Sequence, residues 1–259
     1  MIWRLGVAGY PIEHSMSPQL HEAGLRMAGL EGDSTRLALK ADEVPRLRSL
    51  LGTTYDALSV TMPLKAAVIG ICDELDEVAS RLGVANSLLF DGDRILGANT
   101  DGQGFVNALH DGFSTDVAGT HAVILGAGGA ALGIVDALVQ AGVGSVSILS
   151  RTPSKAEELA SRYENVVAFT SELRPVDVIV NTTPATARSE ATVTPGVRAS
   201  TIAIDITYEP RRSAWLELHE RLGCPSANGL PMLAHQAALQ MTWWWKVPID
   251  AAKLLEVIE

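Results

Sequence analysis

Residues 121–131 read HAVILGAGGAA, an apolar run followed by small residues in the pattern G-x-G-x-x-A. This order predicts a buried strand, a tight turn and the start of a helix. Gly126 permits the turn, Gly128 lets the backbone approach a pyrophosphate, and Ala131 lets the helix pack on a sheet. The helix would present free N–H groups and its positive dipole end to the phosphates. Because strands and helices alternate regularly after it, the segment favours a dinucleotide site over an ordinary strand-to-helix turn.

The end of the next predicted strand indicates which dinucleotide binds. NAD enzymes usually place Asp or Glu there for a ribose hydroxyl, but residues 144–156 contain no acid. This stretch instead carries two hydroxyls and two cations: Ser150, Arg151, Thr152 and Lys155. Arginine can bind a 2′-phosphate through two parallel hydrogen bonds, so the stretch predicts NADP. The alternative is a pair of solvated cations beside a hydroxyl that caps the next helix.

Alternating strands and helices predict an α/β fold with mostly parallel sheets. The predicted strands are 3–8, 35–38, 57–61, a hairpin around Ser87 and Ile95, 122–125, 145–149, 176–180 and 201–206. The predicted helices are about 18–28, one around Leu47, 63–71, one ending near Gln140, 153–163 and the region from Pro231 onward. We expect a Rossmann-type domain at 101–229 and a smaller α/β substrate domain at 1–100 with 230–259, closing over the ligands.

Composition limits the classes of function. The chain has 259 residues, of which 47% are hydrophobic, and a net charge of -10. It has no overall attraction for nucleic acid or an anionic membrane, so an anionic ligand needs a local cluster of donors. Cys72 and Cys224 have neither metal-like spacing nor a disulfide framework, which favours a reducing, cytoplasmic setting. Residues 122–143 contain Asp136 and a glycine cluster, which argues against a membrane span, and the first residues do not resemble a signal peptide.

Two serines precede the first predicted helix. Ser15 and Ser17 are separated by one residue, and Pro18 follows them directly. Hydroxyls at a helix N-terminus suit a carboxylate. Helix capping alone would explain one of these serines but not both.

A lysine and an acid are the candidates for proton transfer. Thr61 and Lys65 follow an apolar strand, and Asp101 lies at the expected domain junction. If they converge, Lys65 and Asp101 would form a coupled proton-transfer pair, whereas a lone lysine is more often a solvated charge. Gln236 and Gln240 lie on a predicted helix, where their long amides would meet the hydroxyls of a polyol or stay exposed.

Taken together, these motifs resemble the shikimate dehydrogenase family over essentially the whole chain and in the same order. The segments that carry the resemblance are GYPIEHSMSPQLH (9–21), SVTMPLK (59–65), GVANSL (83–88), GANTDG (97–102), HAVILGAGGAA (121–131), SRTPSK (150–155), DVIVNTT (177–183), DITYEP (205–210) and NGLPMLAHQAA (228–238).

The resemblance implies reversible hydride transfer between NADP(H) and 3-dehydroshikimate or shikimate, in chorismate and aromatic amino acid biosynthesis, with no metal. It implies that Lys65 is the general acid/base beside Asp101. The implied substrate contacts are Ser15 and Ser17 at the carboxylate, with Ser59, Thr61, Asn86, Asp101, Tyr208 and Gln236 around the ring. The implied cofactor contacts are Gly126, Gly128, Gly129 and Ala130 at the pyrophosphate, Ser150, Arg151, Thr152 and Lys155 at the 2′-phosphate, and Gly229 near the nicotinamide. Another stretch, Asn181-Thr182-Thr183-Pro184, follows an apolar strand at the end where such sheets bind ligands. We expect Thr182 and its neighbours either to line the nicotinamide ribose or to cap the next element.

Four positions depart from the commonest family pattern: Ser59 replaces Asn, Ser87 replaces Thr, Ser150 replaces Asn and Pro231 replaces Gly. The first bears on one substrate hydrogen bond. Two alternatives stay open. A quinate/shikimate dehydrogenase that uses NAD would need an acid near Ser150, and a ligand-sensing relative would bind without turnover. The sequence leaves the assembly open, with a homodimer as one arrangement.

Overall fold

A computed structural model describes residues 2–168, 174–183 and 194–259 of the chain. The chain forms two compact units, Met1–Gly104 with Ala234–Glu259, and Phe105–Leu233. Within the described ranges, no helix is both long enough and apolar enough to cross a membrane.

One mixed sheet organises the first unit. Its strands are β1 (Ile2–Gly9), β2 (Glu31–Ala38), β3 (Ala57–Val60), β4 (Glu74–Leu75), β5 (Ser87–Asp91) and β6 (Arg94–Ala98). They lie in the order β2-β1-β3-β5-β6-β4. The strand β1 is parallel to both of its neighbours, whereas the hairpin of β5 and β6 pairs antiparallel with β3 and within itself. The carboxyl ends of β1 and β3 therefore lie side by side, where the predicted substrate motifs follow them.

The α-helices of this unit vary from 6 to 16 residues in length. They are α1 (Ser17–Ala28), α2 (Pro45–Leu50), α3 (Glu77–Leu82), the start of α4 (Asp101–Phe113), most of α8 (Leu230–Trp245) and α9 (Ala251–Ile258). Pro18 opens α1, and Gly29 closes it in a left-handed conformation with φ +66°. Leu20, His21 and Leu25 occupy its buried face, so a histidine lies inside an otherwise apolar stripe.

The predicted helix from Pro63 through Ile71 is wrong in its first half. Only Ala67–Ile71 is helical, as a short 3-10 segment. The carbonyl of Lys65 accepts from the N–H of Ala85 at 2.9 Å, which removes it from a helical ladder. Residues 62–66 therefore form turns, and Lys65 is held next to the start of β5.

A fully parallel sheet organises the second unit. Its strands are β7 (His121–Leu125), β8 (Ser145–Leu149), β9 (Val166–Ala168), β10 (Val178–Asn181), β11 (Ile202–Asp205) and β12 (Ser226–Ala227), in the order β12-β11-β10-β7-β8-β9. The helices α5 (Gly129–Gln140), α6 (Pro153–Ala160) and α7 (Ala214–Arg221) connect them. All four residues of β10 are buried, as expected for a parallel strand covered on both faces. The strand order reverses direction at β7 and β10, and ligands of open α/β sheets bind beyond such a switch point.

The structure confirms the α/β fold and its mostly parallel sheets. Each predicted strand is present, with ends that differ by a few residues. The hairpin turns at Gly92, which has φ +68°. Several short elements were not predicted from the sequence, among them the two-residue strands β4 and β12, the strand β9 and the short helices α3 and α7.

Candidate active site

Lys65 and Asp101 meet in the first unit. The Lys65 ammonium donates to Asp101 Oδ2 at 2.7 Å. The lysine side chain is 22% exposed and the aspartate side chain 7%, so the pair faces solvent on the lysine side only. Asp101 is the first residue of α4, where the positive end of the helix dipole stabilises its charge. This geometry keeps the Lys65 amine accessible and oriented.

Asn86 holds the other side of Asp101. Its amide nitrogen donates to Asp101 Oδ1 at 2.9 Å, and its side-chain oxygen accepts from the N–H of Thr100 at 2.9 Å. Its side chain is almost completely enclosed, with 1% of the residue exposed. Asn86 is thus fixed by the segment that leads into α4, and both oxygens of Asp101 have a donor.

The helix α8 brings a second amide to the same cluster. Gln236 Oε1 accepts from Asn86 Nδ2 at 2.9 Å, and the Gln236 carbonyl accepts from the Thr100 hydroxyl at 3.1 Å. Gly104 makes this approach possible, because a Cβ there would lie 2.7 Å from the backbone nitrogen of Gln236. Four of the predicted residues, Lys65, Asn86, Asp101 and Gln236, therefore lie in one hydrogen-bonded group.

The two predicted carboxylate ligands are neighbours at the start of α1. The Ser15 hydroxyl donates to the Ser17 hydroxyl at 3.2 Å and accepts from the Ser17 N–H at 3.3 Å. Arg36, from β2, donates to the Ser15 carbonyl through Nε at 3.0 Å and Nη2 at 2.6 Å. The exposed guanidinium of Arg36 therefore holds the segment that contains Ser15 and Ser17, and it adds a positive charge beside this segment. Arg36 could not be predicted from the sequence, because nothing in its neighbourhood resembles a motif.

Thr61 lies at the end of β3, against the end of β1. Its N–H donates to the Ala8 carbonyl at 2.9 Å, and its methyl group occupies the space that a side chain at position 9 would need. Gly9 therefore has to be glycine for the two strand ends to meet. This contact places Thr61 near the segment that leads to the serines.

Ser59, a predicted substrate contact, lies inside a buried polar chain. Its hydroxyl donates to Gln240 Oε1 at 2.7 Å, and its oxygen lies 2.8 Å from His21 Nε2. His21 Nδ1 lies 2.8 Å from the Ser34 hydroxyl. Complete burial lowers the pKa of His21 to about 3, so the imidazole is neutral. Two partners already engage the Ser59 hydroxyl, and substrate contact by this residue stays a prediction.

The second unit contains the glycine-rich turn. Gly126 has φ +112°, and a side chain there would collide with the Thr182 hydroxyl. Gly128 precedes α5 without any side-chain cap, and added Cβ atoms at Gly128 or Gly129 would meet nothing within 4 Å. Within the part of the chain that the structure describes, the start of α5 therefore has no side-chain cap and leaves open space beside Ala130, a geometry that suits a pyrophosphate.

The predicted 2′-phosphate residues surround the start of α6. Arg151, Thr152 and Lys155 are exposed, and the Ser150 hydroxyl accepts from the Thr152 N–H at 3.2 Å. Thr152 is the N-cap residue, but its own side chain makes no cap hydrogen bond. Neither hydroxyl therefore caps α6, because the Ser150 contact is made to the N-cap residue and not to an N–H of the helix. Arg151 and Lys155 supply positive charge, and residues 150–155 include no acid. This segment therefore suits a dinucleotide that carries a 2′-phosphate.

The remaining predicted contacts follow β10 and β11. Thr182 donates from its backbone N–H and its hydroxyl to the Leu125 carbonyl, each at 2.8 Å. Gly229 is buried against the backbone of Ile206, where no side chain fits. Tyr208 is half-buried in the segment after β11. Pro184, the end of the Asn-Thr-Thr-Pro stretch, lies outside the described residues.

Comparison with known proteins gives a consistent picture. Residues 7–88 match the family model of the shikimate dehydrogenase substrate binding domain, and residues 109–211 match that of shikimate / quinate 5-dehydrogenase. A shikimate dehydrogenase (NADP(+)) from an Exiguobacterium species is 36% identical over a 260-residue alignment, which covers 98% of this chain and 97% of the relative.

Solved structures of similar proteins match this chain over nearly its full length. A shikimate 5-dehydrogenase from Thermus thermophilus, in complex with NADP(H) and shikimate, is 31% identical with a TM-score of 0.89, covering 99% of this chain and 98% of that one. A quinate dehydrogenase from Corynebacterium glutamicum in complex with NAD is 26% identical with a TM-score of 0.87, covering 98% of this chain and 97% of that one.

Proposed function

The chain belongs to the shikimate dehydrogenase family, and we propose that it catalyses the reversible NADPH-dependent reduction of 3-dehydroshikimate to shikimate. The observation that carries the proposal is the Lys65–Asp101 contact of 2.7 Å, built against Asn86 and Gln236. Reduction of a ketone leaves an alkoxide that needs a proton. This cluster presents a proton donor among groups that suit ring hydroxyls. The reaction belongs to the route to chorismate and the aromatic amino acids.

The two units have separate roles in this proposal. The first unit, Met1–Gly104 with Ala234–Glu259, binds the substrate, and the second unit, Phe105–Leu233, binds NADP. The uncapped start of α5 and the open space at Gly128 and Gly129 suit the pyrophosphate. Arg151 and Lys155 suit the 2′-phosphate, with Ser150 and Thr152 beside them. Ala130, Thr182 and Gly229 complete the predicted cofactor contacts.

In the mechanism, NADPH when bound supplies the hydride to the ketone carbon. Lys65 donates a proton to the forming alkoxide oxygen, and in the reverse direction it accepts the proton of the alcohol. Asp101 accepts a hydrogen bond from the ammonium and thereby fixes its direction. Asn86 in turn holds Asp101, so that the donor does not have to reorganise during the reaction.

The substrate is oriented by groups on several segments of the first unit. Ser15 and Ser17 hold its carboxylate at the start of α1, beside the positive charge of Arg36. Thr61, Asn86, Asp101 and Gln236 bind ring hydroxyls. Ser59 and Tyr208 remain contacts predicted from the resemblance.

Two alternatives make different demands on these residues. An NAD-dependent quinate/shikimate enzyme would place an acid near Ser150, whereas residues 144–156 contain none. A ligand-sensing relative would bind shikimate without needing an oriented lysine. The tight Lys65–Asp101 contact favours turnover.

We also propose a cytoplasmic location, in keeping with the two unpaired cysteines Cys72 and Cys224. A homodimer stays a prediction for the assembly, which light scattering would test.

The Lys65→Met variant tests the function. Methionine keeps the length of the side chain and removes its proton, so turnover should fall by about 10²–10⁴-fold. Shikimate binding, measured by calorimetry, should change much less. Near-normal turnover in the variant would assign the proton transfer to another group, and a rise in KM alone would make Lys65 a binding residue. A wild-type chain that binds shikimate without turnover would support the ligand-sensing alternative.

A further inference from the structure

A buried chain of hydrogen bonds leads from β2 through α1 to the backbone of Asn86. It runs through Ser34, His21, Ser59 and Gln240 and ends at the Asn86 carbonyl, 2.6 Å from Gln240 Nε2. In this chain His21, Ser59 and Gln240 are each at least nine-tenths buried, so a broken link would leave a polar group without water.

The Asn86 carbonyl, at one end of this chain, determines the direction of every hydrogen bond in it. A carbonyl only accepts, so the Gln240 amide nitrogen donates to Asn86 and its oxygen faces Ser59. The Ser59 hydroxyl must then donate to Gln240 and accept from His21 Nε2–H. The neutral imidazole carries its proton on Nε2, and Nδ1 accepts from the Ser34 hydroxyl. All donors point towards Asn86, so no link can reverse without breaking its neighbour.

The helix α8 contacts Asn86 at two points. Gln236 and Gln240 are one helical turn apart and lie on the same face. Gln236 accepts from the side chain of Asn86 at 2.9 Å, and Gln240 donates to its main-chain carbonyl. The N–H of Val60 fills the other acceptor position of that carbonyl at 2.7 Å. The peptide and the carboxamide of Asn86 are therefore both fixed.

We propose that Gln240 is a positioning residue for the reaction, held in place by Ser59 and His21. It fixes the Asn86 peptide, the Asn86 carboxamide fixes Asp101, and Asp101 directs the Lys65 ammonium. The inference rests on the proposed function, and wild-type turnover of shikimate tests that function separately. Gln240 acts through Asn86 and needs no contact with the substrate.

The test is the Gln240→Leu variant, which keeps the side-chain bulk and removes both hydrogen bonds. We expect kcat to fall about tenfold or more, because a displacement of about 1 Å at a reacting group can cost about 10²-fold. KM for shikimate should change less than kcat, and the Kd for NADP should stay at the wild-type value. Gln19→Leu makes the same change on the exposed face of α1 and should leave all three unchanged.

Combination with Lys65→Met separates positioning from general stability. If Gln240 acts through Lys65, Gln240→Leu should cause no further loss of kcat in the Lys65→Met enzyme, measured at high enzyme concentration. A loss that multiplies with that of Lys65→Met, or a kcat within twofold of wild type for Gln240→Leu alone, would overturn the proposal. If Gln240→Leu does not fold, Gln240→Met, which also removes both hydrogen bonds, takes its place under the same criteria.

Discussion

Arg151 shows how one residue can decide the choice of cofactor. It lies exposed at the start of α6, next to Lys155, in a stretch without acids. A 2′-phosphate is the feature that distinguishes NADP from NAD, and a guanidinium can bind it through two hydrogen bonds. The preference therefore depends on charge-assisted contacts that NAD cannot make.

The Arg151→Ala variant should weaken NADP binding and leave NAD binding nearly unchanged. The loss of a charge-assisted contact costs about 1.5–3 kcal/mol, or about 10- to 150-fold in Kd. Fluorescence titration with each cofactor measures the two dissociation constants. Arg162→Ala, which removes another exposed arginine of the same unit, should alter neither Kd. Equal losses for NADP and NAD would refute the role of Arg151.

Individual site residues could be predicted where they lie in compact motifs. Lys65 and Asp101 each follow a strand or precede a helix, and the structure brings them together at 2.7 Å. Their convergence could not be derived from spacing, because it depends on the fold of the whole first unit. Arg36 and Gln240 were harder to predict still. Their partners, the Ser15 carbonyl and the Asn86 carbonyl, are backbone atoms whose positions the sequence does not specify.

Among the elements, the helix α1 is unusual because its buried face includes a histidine. His21 lies between Leu20 and the small residues of the same face, fully enclosed, with Ser34 and Ser59 at its two nitrogens. A histidine at this spacing could have been predicted as a core residue from the amphipathic pattern of the helix. Its partners come from β2 and β3, which the pattern does not show.

Burial of His21 should make the stability of the chain depend on pH. Its folded pKa of about 3 lies below the unfolded value of 6.5, so the unfolded state binds the proton first as the pH falls. Stability is therefore lost from about pH 6.5 downwards, by about 2 kcal/mol between about pH 7 and about pH 5. Urea unfolding of wild type and His21→Gln over this range should show a flatter dependence in the variant. Ser34→Ala keeps the imidazole and should keep the wild-type slope. If His21→Gln retains it too, other groups cause the dependence.

The turn after β3 explains why one element was predicted wrongly. Pro63 is a suitable first residue of a helix, and apolar residues follow it. The contact between the Lys65 carbonyl and the Ala85 N–H overrides that local preference. Such a contact is long-range, so a reading of local patterns misses it. It also holds the lysine where the proposed mechanism needs it.

For the whole molecule, the order of elements was more predictable than their ends. Alternating strands and helices indicated parallel sheets, and a glycine-rich turn marked β7 as the first strand of a nucleotide-binding arrangement. Strands of two or three residues, such as β4, β9 and β12, were missed because they are too short to show a pattern. Their pairing comes from the sheet that they join and not from their own composition.

A steady-state assay of the purified chain with shikimate or quinate, against NADP or NAD, tests the proposed function most directly. Absorbance of the reduced cofactor reports the reaction. We expect the highest kcat/KM for shikimate with NADP, with NADP preferred over NAD by about tenfold or more because of the contacts at Arg151. A preference for NAD with quinate would contradict it, as would binding of shikimate without formation of NADPH.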